Sequence, residues 1–137
     1  YVGLRHRCIS IEDTLNRKYL DSSAVCMARL RMDGFVSLKG GVEWGSVLTK
    51  PVNVTGDQLH INTDSWRGRV LVEMLDADTM QPVPGFGKDE CIPTIVNGID
   101  ETVRWKGNAN LASLVGKKVQ LRFHLWQAEM YAFWFGG

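Results

Sequence analysis

The chain has 137 residues, about the length of one domain. Its 16 Lys and Arg against 15 Asp and Glu give a formal net charge of +1, and 45% of its residues are hydrophobic. This balance excludes a basic nucleic-acid module and a disordered tail, and no apolar run approaches the roughly 18 residues of a membrane span.

The first residues differ in character from the rest. The sequence begins with Tyr1 and shows no signal-like segment, so we expect a piece of a longer protein. Ser10 and Asp13 resemble a weak capping box, which predicts a short helix over about residues 11–20. We therefore expect an N-terminal extension or linker over residues 1–28 and a β domain over residues 29–137.

Alternation of apolar and polar residues predicts the main strands. In residues 58–63, Leu59 and Ile61 point inward while His60 and Asn62 point outward. Residues 118–126 and 131–135 alternate in the same way, and the almost continuously apolar residues 69–75 predict a strand covered on both faces. These segments indicate a fold built from strands.

Turn signals separate the predicted strands. Asn110 is placed to cap one helical turn over residues 111–115, which Gly116 ends. Short strands at this spacing indicate an antiparallel β-sandwich or barrel. The turn signals are Gly40-Gly41, Gly56-Asp57, residues 82–87, Asn97-Gly98 and Gly107-Asn108.

The three cysteines leave two interpretations open. Cys8 and Cys26 can close a loop in a secreted protein, leaving Cys91 free or bonded outside this piece; otherwise all three are small buried thiols. The sequon Asn53-Val54-Thr55 favours a secreted context weakly. No Cys or His spacing typical of zinc is present.

No catalytic or metal motif is present, so we expect no catalytic residue, no metal ligand and no cofactor. His6, His60 and His124 lie outside any recognisable motif. One alternative stays open for the acidic residues around a predicted hairpin, since calcium prefers several oxygen ligands, whereas Asp before a turn commonly bonds its own backbone. These residues are Asp76, Asp78, Asp89 and Glu90.

Five tryptophans are the unusual feature of the composition. A pyranose has an apolar C–H face and a polar hydroxyl rim; an exposed indole ring covers the face, and polar side chains bond the rim. Trp126 shares the outward register of its strand with His124 and Arg122. This trio is the first candidate for binding hydroxyls or an acidic sugar.

The other tryptophans divide between loops and the interior. Trp66 and Arg67 follow a predicted strand at a turn, and Trp44 also lies in a loop-like segment, so we expect all three at the sugar-binding surface. Trp105 is expected in the core. Trp134 is expected to face either the other sheet or a neighbouring domain.

Several phrases occur together in residues 29–135. In this order they resemble the C-terminal β-sandwich module of secreted glycoside-hydrolase-like β-propeller proteins, similar to that of the invertase/levanase clan and related carbohydrate-binding modules. The phrases are RMDGFVSL (31–38), LTKP (48–51), VLVEMLD (70–76), PVPGF (82–86), VRWKG (103–107), LRFHL (121–125) and YAF (131–133).

The resemblance implies an all-β antiparallel sandwich, jelly-roll or concanavalin-like, with at most one or two short helices. It also implies a secreted, non-catalytic accessory domain that binds a polysaccharide or oligosaccharide and targets a glycan-active host, with a possible catalytic domain in the same chain. The alternative is a structural module that packs on a catalytic domain and has no ligand. A third hypothesis, an enzyme in its own right, requires two carboxylates and a His in one cleft.

Overall fold

The computed structural model describes residues 2–5, 23–107 and 110–137, and the chain divides into two compact units, Tyr1–Leu30 and Arg31–Gly137. In the first unit, β1 (Val2–Arg5) pairs antiparallel with β2 (Ser23–Cys26). The helix predicted over residues 11–20 and Cys8 lie outside the described residues. The predicted boundary at residues 28/29 falls just before the start of the second unit.

The second unit is built almost entirely from antiparallel strands. One sheet has β11 (Lys118–Trp126) between β7 (Arg69–Asp76) on one side and β4 (Gly45–Leu48) with β5 (Val52–Asn53) on the other. The second sheet has the order β3 (Leu38–Lys39), β12 (Glu129–Gly136), β6 (Gln58–Asp64), β9 (Asn97–Thr102). A short ladder joins β8 (Cys91–Ile92) to β10 (Arg104–Trp105).

The all-β prediction is confirmed, and the four predicted strands appear as β6, β7, β11 and β12. In the described part of the chain the helical content is one 3-10 turn, Ala112–Leu114, where the sequence predicted a helical turn. No helix among these residues is long and apolar enough to cross a membrane.

The turn predicted at Asn97-Gly98 is wrong, because β9 begins there. Asn97 and Gly98 lie opposite Asp64 and Thr63 of β6. The Arg31 guanidinium donates to the carbonyl oxygens of Thr63 (2.9 Å) and Gly98 (2.5 Å), and to the Asn97 side chain. These contacts hold the segment extended, so tertiary contacts override its local turn preference.

One hydrophobic core joins the inner faces of the two sheets and gives the unit a sandwich-like character. Leu59 and Ile61 of β6 are fully buried, as are Val72 of β7 and Phe123 of β11. The Phe123 ring lies 5.2 Å from the Phe133 ring, centroid to centroid, so β11 and β12 meet across the core. Burial of these apolar side chains is the main source of stability.

Trp105 is confirmed as a core residue, 3% exposed, and its Nε1–H donates to the Val72 carbonyl oxygen at 2.9 Å. Cys91 is a buried free cysteine; burial raises the pKa of its thiol to about 11, so the thiol is protonated and inert at neutral pH. Cys8 and the Cys26 side chain lie outside what the structure describes, so the predicted pairing stays a prediction.

We predict that Phe123→Ala lowers the free energy of unfolding by about 3–5 kcal/mol, because it removes a fully buried ring and leaves a cavity. Urea denaturation measures this change. Lys118→Ala, at an exposed position of the same strand, is the matched control and should change stability by less than about 0.5 kcal/mol. Equal losses in the two variants would contradict the assignment of the core.

Candidate functional site

Strict alternation along β11 places the predicted trio on one face. Arg122, His124 and Trp126 are partly exposed, while the residues between them are buried in the core. Alternate side chains on a strand lie about 7 Å apart. In the ladder with β7, Trp126 lies opposite Arg69 and Arg122 opposite Glu73, so β7 contributes charged groups to the same face.

Glu73 organises two of the three predicted residues. Its Oε1 accepts from Arg122 Nη1 at 2.8 Å and lies 3.3 Å from His124 Nε2, although Glu73 itself is only 7% exposed. A carboxylate this buried needs such partners. Arg122 and His124 therefore hold an internal charge network, with the guanidinium still partly open to solvent. Sequence reasoning missed Glu73, although an acid inside the apolar residues 70–75 was a usable signal.

Trp44 lies beside Trp126, and we call these two residues the tryptophan pair. Their ring centroids are 6.4 Å apart with an angle of 34° between planes. Trp126 Nε1–H donates to the Val42 carbonyl oxygen at 2.8 Å, which fixes its ring, whereas Trp44 is 46% exposed. Lys88 Nζ lies 5.2 Å from the Trp44 ring centroid, and Arg69 Cζ 5.4 Å from that of Trp126.

Trp66 and Arg67 line a neighbouring depression of about 530 Å³, which we call the rim cleft. Trp66 is 57% exposed, and Arg67 Cζ lies 4.5 Å from its ring centroid. The cleft therefore has one aromatic wall and both positively and negatively charged side chains. Its other lining residues are Lys39, Gly40, Gly41, Val42, Asp64, Gln127, Ala128 and Glu129.

Close backbone packing builds the rim cleft. Gln127, in the connection from β11 to β12, has φ of +45°, an uncommon conformation for a side chain of this kind, and its N–H donates to the Gly41 carbonyl oxygen at 2.9 Å. A Cβ on Gly68 would lie 1.9 Å from the Trp126 carbonyl oxygen, and one on Gly40 2.6 Å from that of Leu125. These residues lie in the connections from β3 to β4, β6 to β7 and β11 to β12. Only glycine, which has no Cβ, lets the three connections come this close together.

The tryptophan pair and the rim cleft are contiguous. Val42 lines the cleft and also accepts the hydrogen bond of Trp126, and Gln127 follows Trp126 directly along the chain. Trp44 therefore lies on the outer face of the first sheet, together with the three residues of β11. Trp66 and Arg67 lie in the adjoining rim cleft. The six predicted positions belong to one continuous surface.

Two of the charged residues that line the cleft, Lys39 and Glu129, form an ion pair. Lys39 Nζ lies 2.9 Å from Glu129 Oε1, and Tyr131 donates from its hydroxyl to Glu129 Oε2 at 3.1 Å. The hydrogen bond from Lys39 lowers the pKa of Glu129, and the same contact raises the pKa of Lys39; burial and Glu129 raise the pKa of Tyr131. A general acid at neutral pH needs a raised carboxyl pKa, so Glu129 is suited to accepting hydrogen bonds.

The acidic hairpin has the geometry of an ordinary turn. Asp76 Oδ1 accepts from the backbone N–H of Thr79 at 2.9 Å and of Asp78 at 3.0 Å, and these bonds lower the pKa of Asp76. This is the self-bonded arrangement that Asp adopts at turns. Within residues 2–5, 23–107 and 110–137, no group of three or more His, Cys, Asp or Glu side chains is arranged to hold a metal ion.

Trp134 lies on the outer face of the second sheet. It pairs with His60 across the ladder between β12 and β6, and the two rings stack at 5.6 Å with an angle of 12°. His60 Nδ1 lies 2.6 Å from Asp100 Oδ1. This second aromatic cluster was missed by sequence reasoning because it depends on the register of three strands.

We predict that His124 makes stability depend on pH. Burial lowers the pKa of His124 from its ordinary 6.5, with the positive charges of Lys88 and Arg122 acting in the same direction and Glu73 opposing them. The unfolded chain therefore takes up this proton first as pH falls, and the free energy of unfolding declines from about pH 7 downward through the folded pKa. His124→Gln should flatten that decline in urea melts at stepped pH. Identical slopes in the two proteins would contradict the assignment.

Comparisons with family models, with curated proteins and with solved structures found no match to this chain. The chemistry of the site therefore follows from its own residues. Those residues are exposed indole rings, cations next to them, and a polar cleft that joins them.

Proposed function

We propose that the unit Arg31–Gly137 is a non-catalytic carbohydrate-binding module. The observation that carries the proposal is the continuity of the tryptophan pair with the rim cleft. Three exposed or partly exposed indole rings, those of Trp44, Trp66 and Trp126, lie along one surface that also contains a cleft with charged and amide side chains.

This arrangement matches the two sides of a sugar ring. The indole faces offer apolar area to the C–H face of a pyranose. Asp64 and Gln127 in the cleft offer acceptors and donors to hydroxyls, as does the open part of Arg122. A cleft of about 530 Å³ has the size of ordinary small-ligand sites. Several rings on one surface suit an extended chain better than a single sugar.

The role we propose is targeting. A module of this kind holds an attached glycan-active domain near its polysaccharide and raises the local concentration of substrate. The resemblance of residues 29–135 to accessory sandwiches of secreted glycoside-hydrolase-like proteins supports this role. A secreted host with a catalytic domain in the same chain belongs to the proposal.

A second candidate function rests on a different observation. Phe35 is 90% exposed, Val36 75% and Leu38 45%, so three large apolar side chains face solvent within four positions. Apolar segments of this kind are typical of contact surfaces between domains. The unit would then act as a structural module that packs on a neighbouring domain through residues 35–38.

Sugar binding is tested by titrating intrinsic tryptophan fluorescence and heat of binding with a panel of neutral and acidic oligosaccharides. We predict a saturable response that Trp44→Ala and Trp66→Ala each weaken about tenfold, the equivalent of roughly 1.4 kcal/mol. Both side chains are exposed, so the variants should fold. Trp134→Phe, on the other sheet, is the matched control and should bind like the parent protein.

If the folded protein shows no change in fluorescence and no heat of binding across the whole panel, the result would contradict sugar binding and favour the structural module. Equal weakening by Trp134→Phe and Trp44→Ala would place any binding site elsewhere. Circular dichroism of each variant separates loss of binding from loss of fold.

A further inference from the structure

Each tryptophan of the proposed site has a cation close to its ring. Lys88 lies over Trp44, Arg69 over Trp126 and Arg67 over Trp66, at 5.2, 5.4 and 4.5 Å from the ring centroids. Arg67 and Arg69 are exposed and Lys88 is half-buried. Cations at this range are attracted to the ring face, which holds them beside it.

These three cations differ from the others at the site, because they lack carboxylate partners. Lys39 is paired with Glu129, and Arg122 with Glu73. Among the described residues, Arg67, Arg69 and Lys88 form no ion pair. Of the two carboxylates that line the cleft, Glu129 is the one paired with Lys39, and Asp64 forms no ion pair among the described residues. The three cations at the rings therefore carry positive charge that no ion pair among the described residues neutralises.

We infer that the glycan bound here is acidic, with a carboxylate or sulfate on the sugars that stack on these rings; the inference rests on the proposed function. Each ring has a cation over one face, so a sugar that stacks on the opposite face has acidic substituents within reach of that charge when they extend past the ring edge. A hydrogen bond from Lys or Arg to an anionic oxygen is about twice as strong as a neutral one. Neutral sugars leave the three cations without a matching charge.

The same rings and cations also suit stacked nucleobases with phosphates. The overall net charge of +1 is far from the basic balance typical of nucleic-acid modules, so the observations favour the glycan. An oligouridylate of matched charge is included in the test for this reason.

Two matched probe pairs test the inference by calorimetry. Oligogalacturonate is compared with its methyl ester, and dextran sulfate with dextran, so that the arms separate carboxylate from sulfate. We expect an acidic member to bind about tenfold more tightly than its neutral counterpart, and to weaken between about 50 and 300 mM salt. Lys88→Gln and Arg69→Gln should each weaken the acidic probe severalfold and leave neutral-sugar binding unchanged. Lys50→Gln, at an exposed cation away from the rings, is the control.

The other possible results of these titrations contradict the acidic preference, the glycan ligand or the proposed function. Equal affinity for charged and neutral probes, with no effect of Lys88→Gln, overturns the acidic preference and leaves sugar binding intact. An equal effect of Lys50→Gln means diffuse attraction to polyanions and overturns it as well. Tighter binding of oligouridylate than of either acidic glycan would indicate a nucleic-acid ligand and would contradict the inference of a glycan. Absence of any response to the neutral and acidic panel removes the proposed function itself.

Discussion

The period-two alternation of β11 is the constraint on which the rest of this unit depends. β11 pairs with β7 on one side and with β4 and β5 on the other, so it cannot slip by one residue without reversing every side chain. Phe123 and its alternate neighbours supply the centre of the core. The same register presents Arg122, His124 and Trp126 outward. The core and the candidate site therefore lie on opposite faces of one strand. The burial of apolar side chains that fixes the register of this strand also positions the residues of the candidate site.

The Glu73 network strengthens this coupling. A carboxylate that is 7% exposed on the outer face of a sheet is costly unless it is bonded, and Arg122 and His124 both bond its Oε1. Each of those residues then has a fixed side-chain position. Both lie on β11, the strand that ends at Trp126, and the Trp126 ring is itself held by its hydrogen bond to the Val42 carbonyl oxygen. A preordered surface loses less entropy when a ligand binds.

The sequence predicted those features of the fold that depend on local sequence patterns. Alternation predicted β6, β7, β11 and β12, and Trp105, within the phrase VRWKG (103–107), was expected in the core and lies there. It was uninformative where the geometry depends on register. Asn97-Gly98 has the composition of a turn, yet Arg31, far away in the chain, holds it in β9. The pairing of Lys39 with Glu129 likewise joins two strands distant in sequence, which no local pattern can reveal.

The candidate site lies where the backbone segments that connect the strands come closest to one another. Three connections meet at the end of β11, and Gly40 and Gly68 have no Cβ to hold them apart. That convergence brings Trp66, from the turn after β6, within one cleft of the Gln127 turn. A rigid scaffold with variable connections at its end is the usual location of binding sites. The converging connections thus present Trp66, which is 57% exposed, beside the end of β11 where Trp126 lies.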